Sequence, residues 1–262
     1  MRDIFFPKTM TLRLPRILAR LITSEAAKRN FKKTNGQGNE NRFLNKILPN
    51  MLAYRDYKKG LLRDYLEKNV KTSIAVGMQE KILGFLSESF DYLYFDESEY
   101  ECNKTINLRF DVKNEELYAE LFVRLDEVGI KRSAYLRNLI HEYMNQSEYQ
   151  KERICFMDEY NALNSAIAQE RLCQVYIDEM PLTVSCIALE YSVNTEHWHL
   201  LYLKKDTTDR LYSVPIHKVG KTLLLNDKID EIDSQIDERI KEIIEKGVYD
   251  KKSEFFLGSS KQ

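Results

Sequence analysis

Two sets of polar side chains have the types and spacing to do chemistry. Thr9, Thr11 and Arg13 alternate with Met10, Leu12 and Leu14. Further along, Thr105, Asn107 and Arg109 alternate with Ile106, Leu108 and Phe110. Period two marks a half-buried strand with one apolar and one polar face. Arginine bonds bidentately to guanine and asparagine to adenine, and threonine offers a hydroxyl or a methyl contact. Side by side on a two-stranded ribbon, these six groups can enter a major groove. With arginine on phosphates, the same face suits a single strand.

The two stretches are near-copies. Lys8-Thr9-Met10-Thr11-Leu12-Arg13-Leu14 and Lys104-Thr105-Ile106-Asn107-Leu108-Arg109-Phe110 share Lys, Thr, Leu and Arg in register. A single strand leaves its backbone groups without partners. The copies are therefore expected to pair antiparallel within one chain. Centring the pair on Thr11 and Asn107 sets Thr9 opposite Arg109 and Arg13 opposite Thr105, which keeps the two arginines apart.

Helical patterns follow each copy. After the second, Leu117, Leu121, Leu125 and Val128 fall on one face. Gly129 supplies a stop, and Ser133 is an expected N-cap for a helix bearing Leu136, Leu139, Ile140, Tyr143 and Met144. Lys131, Arg132 and Ser133, at that helix's N-terminus, suit a phosphate. After the first copy, Pro15 fits a first helical turn, and Ile17, Leu18, Leu21 and Ile22 form a stripe. A longer loop at residues 32–39 precedes Phe43, Leu44, Ile47, Leu48 and Met51, with Pro49 expected to kink that helix. Strand, helix, turn, helix resembles the ribbon-helix-helix family of DNA-binding repressors. The resemblance implies an intrachain pseudo-dimer over residues 1–147, with a helical insert at 60–100.

Charge supports a polyanion partner at this end. Residues 1–60 hold 14 Lys/Arg and 4 Asp/Glu, a balance of +10, whereas the remainder holds 26 and 37, a balance of −11. Cys102, Cys155, Cys173 and Cys186 show no metal-ligand spacing and read as reduced thiols of a cytoplasmic protein. No apolar run approaches a membrane span, and residues 1–7 read as an arm.

Within the insert, Leu61, Leu62, Leu66 and Val70 suggest a short helix. Thr72 or Ser73 caps a longer one carrying Ile74, Met78, Ile82, Leu83, Leu86, Phe90 and Leu93. A helix is expected over residues 152–169. The texture then changes to short β-branched and aromatic segments at 173–177, 182–191, 197–204 and 210–215, separated by turn chemistry. Ile187-Ala188-Leu189-Glu190-Tyr191, Trp198-His199-Leu200, Arg210-Leu211-Tyr212 and Pro215-Ile216-His217-Lys218-Val219 resemble the WYL domain. His199 stands where that family has its name-giving tyrosine, and Lys218-Val219 where it has Arg-Ile. The resemblance covers about residues 150–225. It implies an Sm-like small β-barrel and a nucleic-acid or nucleotide-like ligand, for which Tyr191, His199, Arg210, His217 and Lys218 are the candidate contacts. Aromatic stacking and cationic contacts are what single-strand binding needs. Trp198 is read as a core residue.

Residues 226–246 read as one helix, with Ile229, Ile232, Ile236, Ile240 and Ile243 in a stripe. The stripe can fold back on the chain's own barrel or pair with a second copy; five isoleucines favour pairing, giving a dimerisation helix over 226–250. The fold class is α+β. No nucleophile–base pair, phosphate loop or paired acids point to an enzyme. His197 and His199 share a face, but no Cys or carboxylate cluster in the sequence joins them, so neither metal nor cofactor is expected.

The combination resembles the WYL-domain accessory proteins of type VI-D CRISPR systems. That resemblance implies a non-catalytic homodimer that binds single-stranded RNA and enhances the RNA-guided RNase effector beside it. The alternative is a transcriptional regulator whose ribbon binds duplex DNA while its barrel senses a nucleotide or single strand.

Overall fold

In the computed structural model the two near-copies pair. The structure describes residues 6–69, 78, 81, 103–205, 207–229 and 233–257. The chain divides into two compact units, Met1–Gln146 and Ser147–Gln262. In the first unit, β1 (Thr9–Leu14) and β2 (Lys104–Arg109) form a two-stranded antiparallel sheet. Thr9 faces Arg109, Thr11 faces Asn107 and Arg13 faces Thr105. Leu12, Leu14 and Leu108 are wholly buried, and the six polar residues are exposed. Each buried leucine contributes about 1.5–3 kcal/mol. A one-residue slip would turn all three to water, and this fixes the register.

Each strand leads into two helices. β1 is followed by α1 (Arg16–Lys28) and α2 (Glu40–Asn69). β2 is followed by a 3-10 turn (Val112–Asn114), α3 (Glu115–Glu127) and α4 (Arg132–Met144). Gly129 takes φ +74° after α3, and the Ile130 N–H then closes on the Leu125 carbonyl at 2.8 Å. Ser133 is not the N-cap. The cap position is Lys131, whose side chain makes no capping bond, and Ser133 lies inside the first turn. The α1 stripe is rotated from its expected position. Leu18, Ala19, Ile22 and Ala26 are buried, while Ile17 and Leu21 are exposed. α2 continues past Pro49, so Leu61 and Leu62 belong to it rather than to a separate short helix. Pro49 deprives the Asn45 carbonyl of its helical donor. Asn114 Nδ2 reaches that carbonyl at 3.5 Å. The expected helix after Thr72 and Ser73 lies almost wholly outside the described residues.

The second helices exchange strands. α2 packs against β2, and α4 against β1. Asn45 Nδ2 donates to the Arg109 carbonyl at 2.7 Å, and its Oδ1 accepts the Asp111 N–H at 3.0 Å. Asn41 Oδ1 accepts the Arg109 N–H at 2.8 Å. On the other side, Arg137 Nη1 donates to the Arg13 carbonyl at 3.2 Å. Asn45 and Arg137 occupy the same place in their helices, each the sixth residue counting from Glu40 or Arg132. The two copies thus clasp each other as the halves of an isologous dimer do. Asn45 is 3% exposed. Asn45→Ala is expected to cost about 2 kcal/mol, because it strands two backbone groups at the end of β2. The urea midpoint should fall with an unchanged slope.

The second unit begins with α5 (Glu148–Cys155) and α6 (Met157–Ala168). The single helix expected over 152–169 is therefore two. Phe156, at φ −111° and ψ 37°, breaks the helical path between them. β3 (Arg171–Ile177), β4 (Met180–Ser192), β5 (His197–Lys204) and β6 (Thr207–Pro215) contain the four expected strand segments. The β3–β4 turn is Asp178-Glu179, with φ +49° and +67°, the left-handed pair that a tight hairpin needs.

β7 (Val219–Lys228) and β8 (Glu254–Phe256) complete an antiparallel sheet of order β7-β3-β4-β5-β6-β8. The six strands do not close into a barrel. β8 takes the outer edge of β6, and β7 turns back onto β3, so the two edges stay apart in the order. Residues 226–228 are the end of β7 rather than the start of a helix. The C-terminal helix, α7 (Ser234–Glu245), starts where the Asp233 carboxylate accepts the Gln235 N–H at 2.8 Å. Its Ile240 and Ile243 pack with Leu201, Leu203 and Leu211 in the chain's own core. Much of the expected seam is therefore spent within the chain. Among the described residues, no helix is long and apolar enough to cross a membrane.

Candidate nucleic-acid interface

The ribbon gathers all six of its candidate residues. Thr9, Thr11, Arg13, Thr105, Asn107 and Arg109 lie exposed on one face of β1 and β2. Thr11 Oγ1 donates to Asn107 Oδ1 at 3.2 Å, which orients the central pair. The Arg13 and Arg109 backbones are held by Arg137 and Asn45 while their guanidinium groups face solvent. The clamps fix where each side chain leaves the strand and leave the guanidinium groups free to reach a ligand. Lys8 and Lys104 are exposed at opposite ends of the pair.

The turn before α4 is less available. Lys131 is exposed and Ser133 half-buried. Arg132 forms a fork on Asp126, with Nε on Oδ1 at 3.0 Å and Nη2 on Oδ2, and lies 4.9 Å over the Phe122 ring. The hydrogen-bonded Arg132 holds the Asp126 carboxyl below its ordinary range. A phosphate there would have to compete with Asp126.

In the second unit, the five candidate residues differ in burial and in partners, although Tyr249 touches both the His199 ring and the Tyr191 carbonyl. The Tyr191 ring packs on Tyr149 and Trp198 at 5.3 and 5.7 Å, and its carbonyl accepts from Tyr249. Arg210 is exposed and paired with Glu254 of β8. Lys218 is exposed, and His217 lies beside His197 and Glu152. Trp198 is a core residue, 6% exposed, against Tyr149 and Tyr160. None of the five candidates lines the cleft that Arg239, Lys246, Lys251, Lys252 and Phe256 border.

His199 is buried, its ring held by Thr195 Oγ1 at 3.1 Å and Ser213 Oγ at 3.0 Å. Burial, with the neighbouring His197, pushes its pKa down from 6.5 to about 4, against the pull of Asp250. Between those values the unfolded chain binds the proton that the folded chain refuses. Stability is then lost as pH falls from about 6.5 toward 4. Asp250 acts in the same direction at lower pH, since hydrogen bonds from Ser192 and Asn194 hold its carboxyl down. Urea unfolding at pH 7.5, 6 and 4.5 is expected to show falling midpoints. His199→Gln should flatten the part between pH 6.5 and 4.5.

Several residues that build these surfaces were not evident in the sequence. Asn41, Asn45 and Arg137 position the ribbon, and Glu152 organises the start of β5. Glu152 is wholly buried; Oε1 takes His197 Nδ1 at 2.6 Å and Oε2 accepts the Trp198 N–H at 2.5 Å. The 96-residue offset of the two strands aligns Asn45 with His141, so the repeat register does not point to Arg137. No local signal marks Glu152.

No family model and no curated protein matches the chain. A solved structure shares its fold. It is described as the crystal structure of a CRISPR Cas-related protein, 14% identical, with a TM-score of 0.61. The match covers 87% of this chain and 65% of that one, so the chain spans about two-thirds of its neighbour's length. At that identity the likeness is one of fold.

Proposed function

We propose that this chain is a non-catalytic, CRISPR-associated accessory protein that binds single-stranded RNA through its intrachain ribbon and modulates an RNA-guided RNase of the type VI-D kind. The observation that carries the reading is the ribbon itself, two near-copies paired in register with six hydrogen-bonding side chains exposed on one face. The strand-helix-helix order on each side supports the reading of a ribbon-helix-helix module held within one polypeptide. The basic balance of residues 1–60 adds attraction for phosphates. The CRISPR context is suggested by the neighbour's fold, and the WYL-like segments on β4, β5 and β6 agree with an accessory role. Homodimerisation belongs to the same reading. With Ile240 and Ile243 buried internally, its interface would lie elsewhere than the isoleucine seam.

A second reading has its own support. A two-stranded ribbon carrying Arg and Asn also fits a duplex major groove, as a transcriptional regulator requires. Competition between single-stranded RNA and duplex DNA, at about 50 and 200 mM salt, separates the two. The RNA reading expects RNA to win, with steep salt dependence and little sequence preference. A defined duplex site that outcompetes RNA, losing about 1–3 kcal/mol per changed base pair, would establish the regulator instead.

A further inference from the structure

We propose that Glu152, His197 and His217 form a binding site for one divalent transition-metal ion of zinc's class. The three come from α5, the first residue of β5 and the 3-10 turn after β6 (Ile216–Lys218). Their ligand atoms all lie within 4.8 Å of one another. Glu152 Oε1 is 2.6 Å from His197 Nδ1 and 4.0 Å from His217 Nδ1, and the two imidazole centroids are 4.4 Å apart.

The donor set is the right kind. Two imidazoles and one carboxylate bind zinc at about 2.0–2.2 Å, and ligand atoms around a tetrahedral ion then lie about 3.3 Å apart. To reach such spacing the His197–Glu152 pair must open, and the His217–Glu152 pair close, by about 0.7 Å each. Side-chain rotation supplies movements of that size without moving a strand. In the metal-loaded state the ion replaces the shared proton between His197 and Glu152.

The surroundings fit as well. The second oxygen of Glu152 is fixed by the Trp198 N–H, the kind of outer contact that orients a ligating carboxylate. Glu152 is wholly buried, while the histidine side chains keep 18% and 15% of their surface. The ion would thus sit at the rim of a buried carboxylate, with a fourth position open to water or an oxyanion. It would tie α5 to the start of β5 and to the turn after β6.

The test uses the full chain after chelator treatment and dialysis. Zinc titration by calorimetry is expected to show one ion per chain with micromolar or tighter affinity. Cobalt(II) should give the visible d–d absorption of a four-coordinate nitrogen–oxygen site, and the thermal midpoint should rise with zinc. His217→Ala, whose fold is checked by circular dichroism, should weaken zinc at least tenfold and abolish the cobalt spectrum. His197→Gln, as the second variant, should do the same. Affinity no better than millimolar, or binding untouched by both variants, would overturn the site. RNA binding is not part of the readout, so the ribbon's function and this site fail separately.

Discussion

Arg13→Ala combined with Arg109→Ala is expected to weaken binding of single-stranded RNA about a hundredfold. Each exposed guanidinium bonded to a phosphate or base is worth about 1.5 kcal/mol, and two lost together approach two decades of affinity. The fold should be indifferent. Asn45 and Arg137 hold the carbonyls of these residues rather than their side chains, so the unfolding free energy should move by less than about 0.5 kcal/mol. Fluorescence anisotropy against a labelled RNA measures the first quantity, and urea unfolding the second. Unchanged RNA affinity with intact stability would remove the ribbon from the interface.

The second large effect is structural. Glu152→Ala is expected to destabilise the Ser147–Gln262 unit by about 3 kcal/mol. The side chain is wholly buried and accepts from His197 and from the Trp198 backbone. Alanine leaves both donors without their acceptor in a packed region, at about 1–3 kcal/mol each, and adds a small cavity. The thermal midpoint of that unit should drop by roughly 10 °C, seen as loss of Trp198 fluorescence, since the chain's one tryptophan lies beside this contact. Glu152→Gln keeps an acceptor oxygen and should lose less.

The ribbon was legible because its determinants are local and repeated. Alternation fixed the buried face of β1 and β2, and the shared Lys-Thr-x-x-Leu-Arg frame fixed the partner and register. Gly129 likewise announced a helix end that the chain takes up at φ +74°. What escaped was non-local. Glu152 meets His197 and His217 only after α5 packs on the sheet. A reading of His197 with His199 sees adjacent rings on one strand and not the carboxylate that arrives from a helix. The isoleucine stripe of α7 was legible as an apolar face, but its choice of Leu201, Leu203 and Leu211 over another chain depends on a sheet the sequence does not display. Barrel closure failed as an expectation for a similar reason. The three-residue β8, which adds to the edge of β6, carries too little pattern to be noticed.

Photocrosslinking of a 4-thiouridine RNA to the full chain, with the attached peptides mapped by mass spectrometry, tests the ribbon most directly. Crosslinks should concentrate in residues 8–14 and 104–110, with both copies represented in the same preparation. Crosslinks confined to the Tyr191–Lys218 region, leaving both strands of the ribbon unmarked, would contradict an RNA-binding face there.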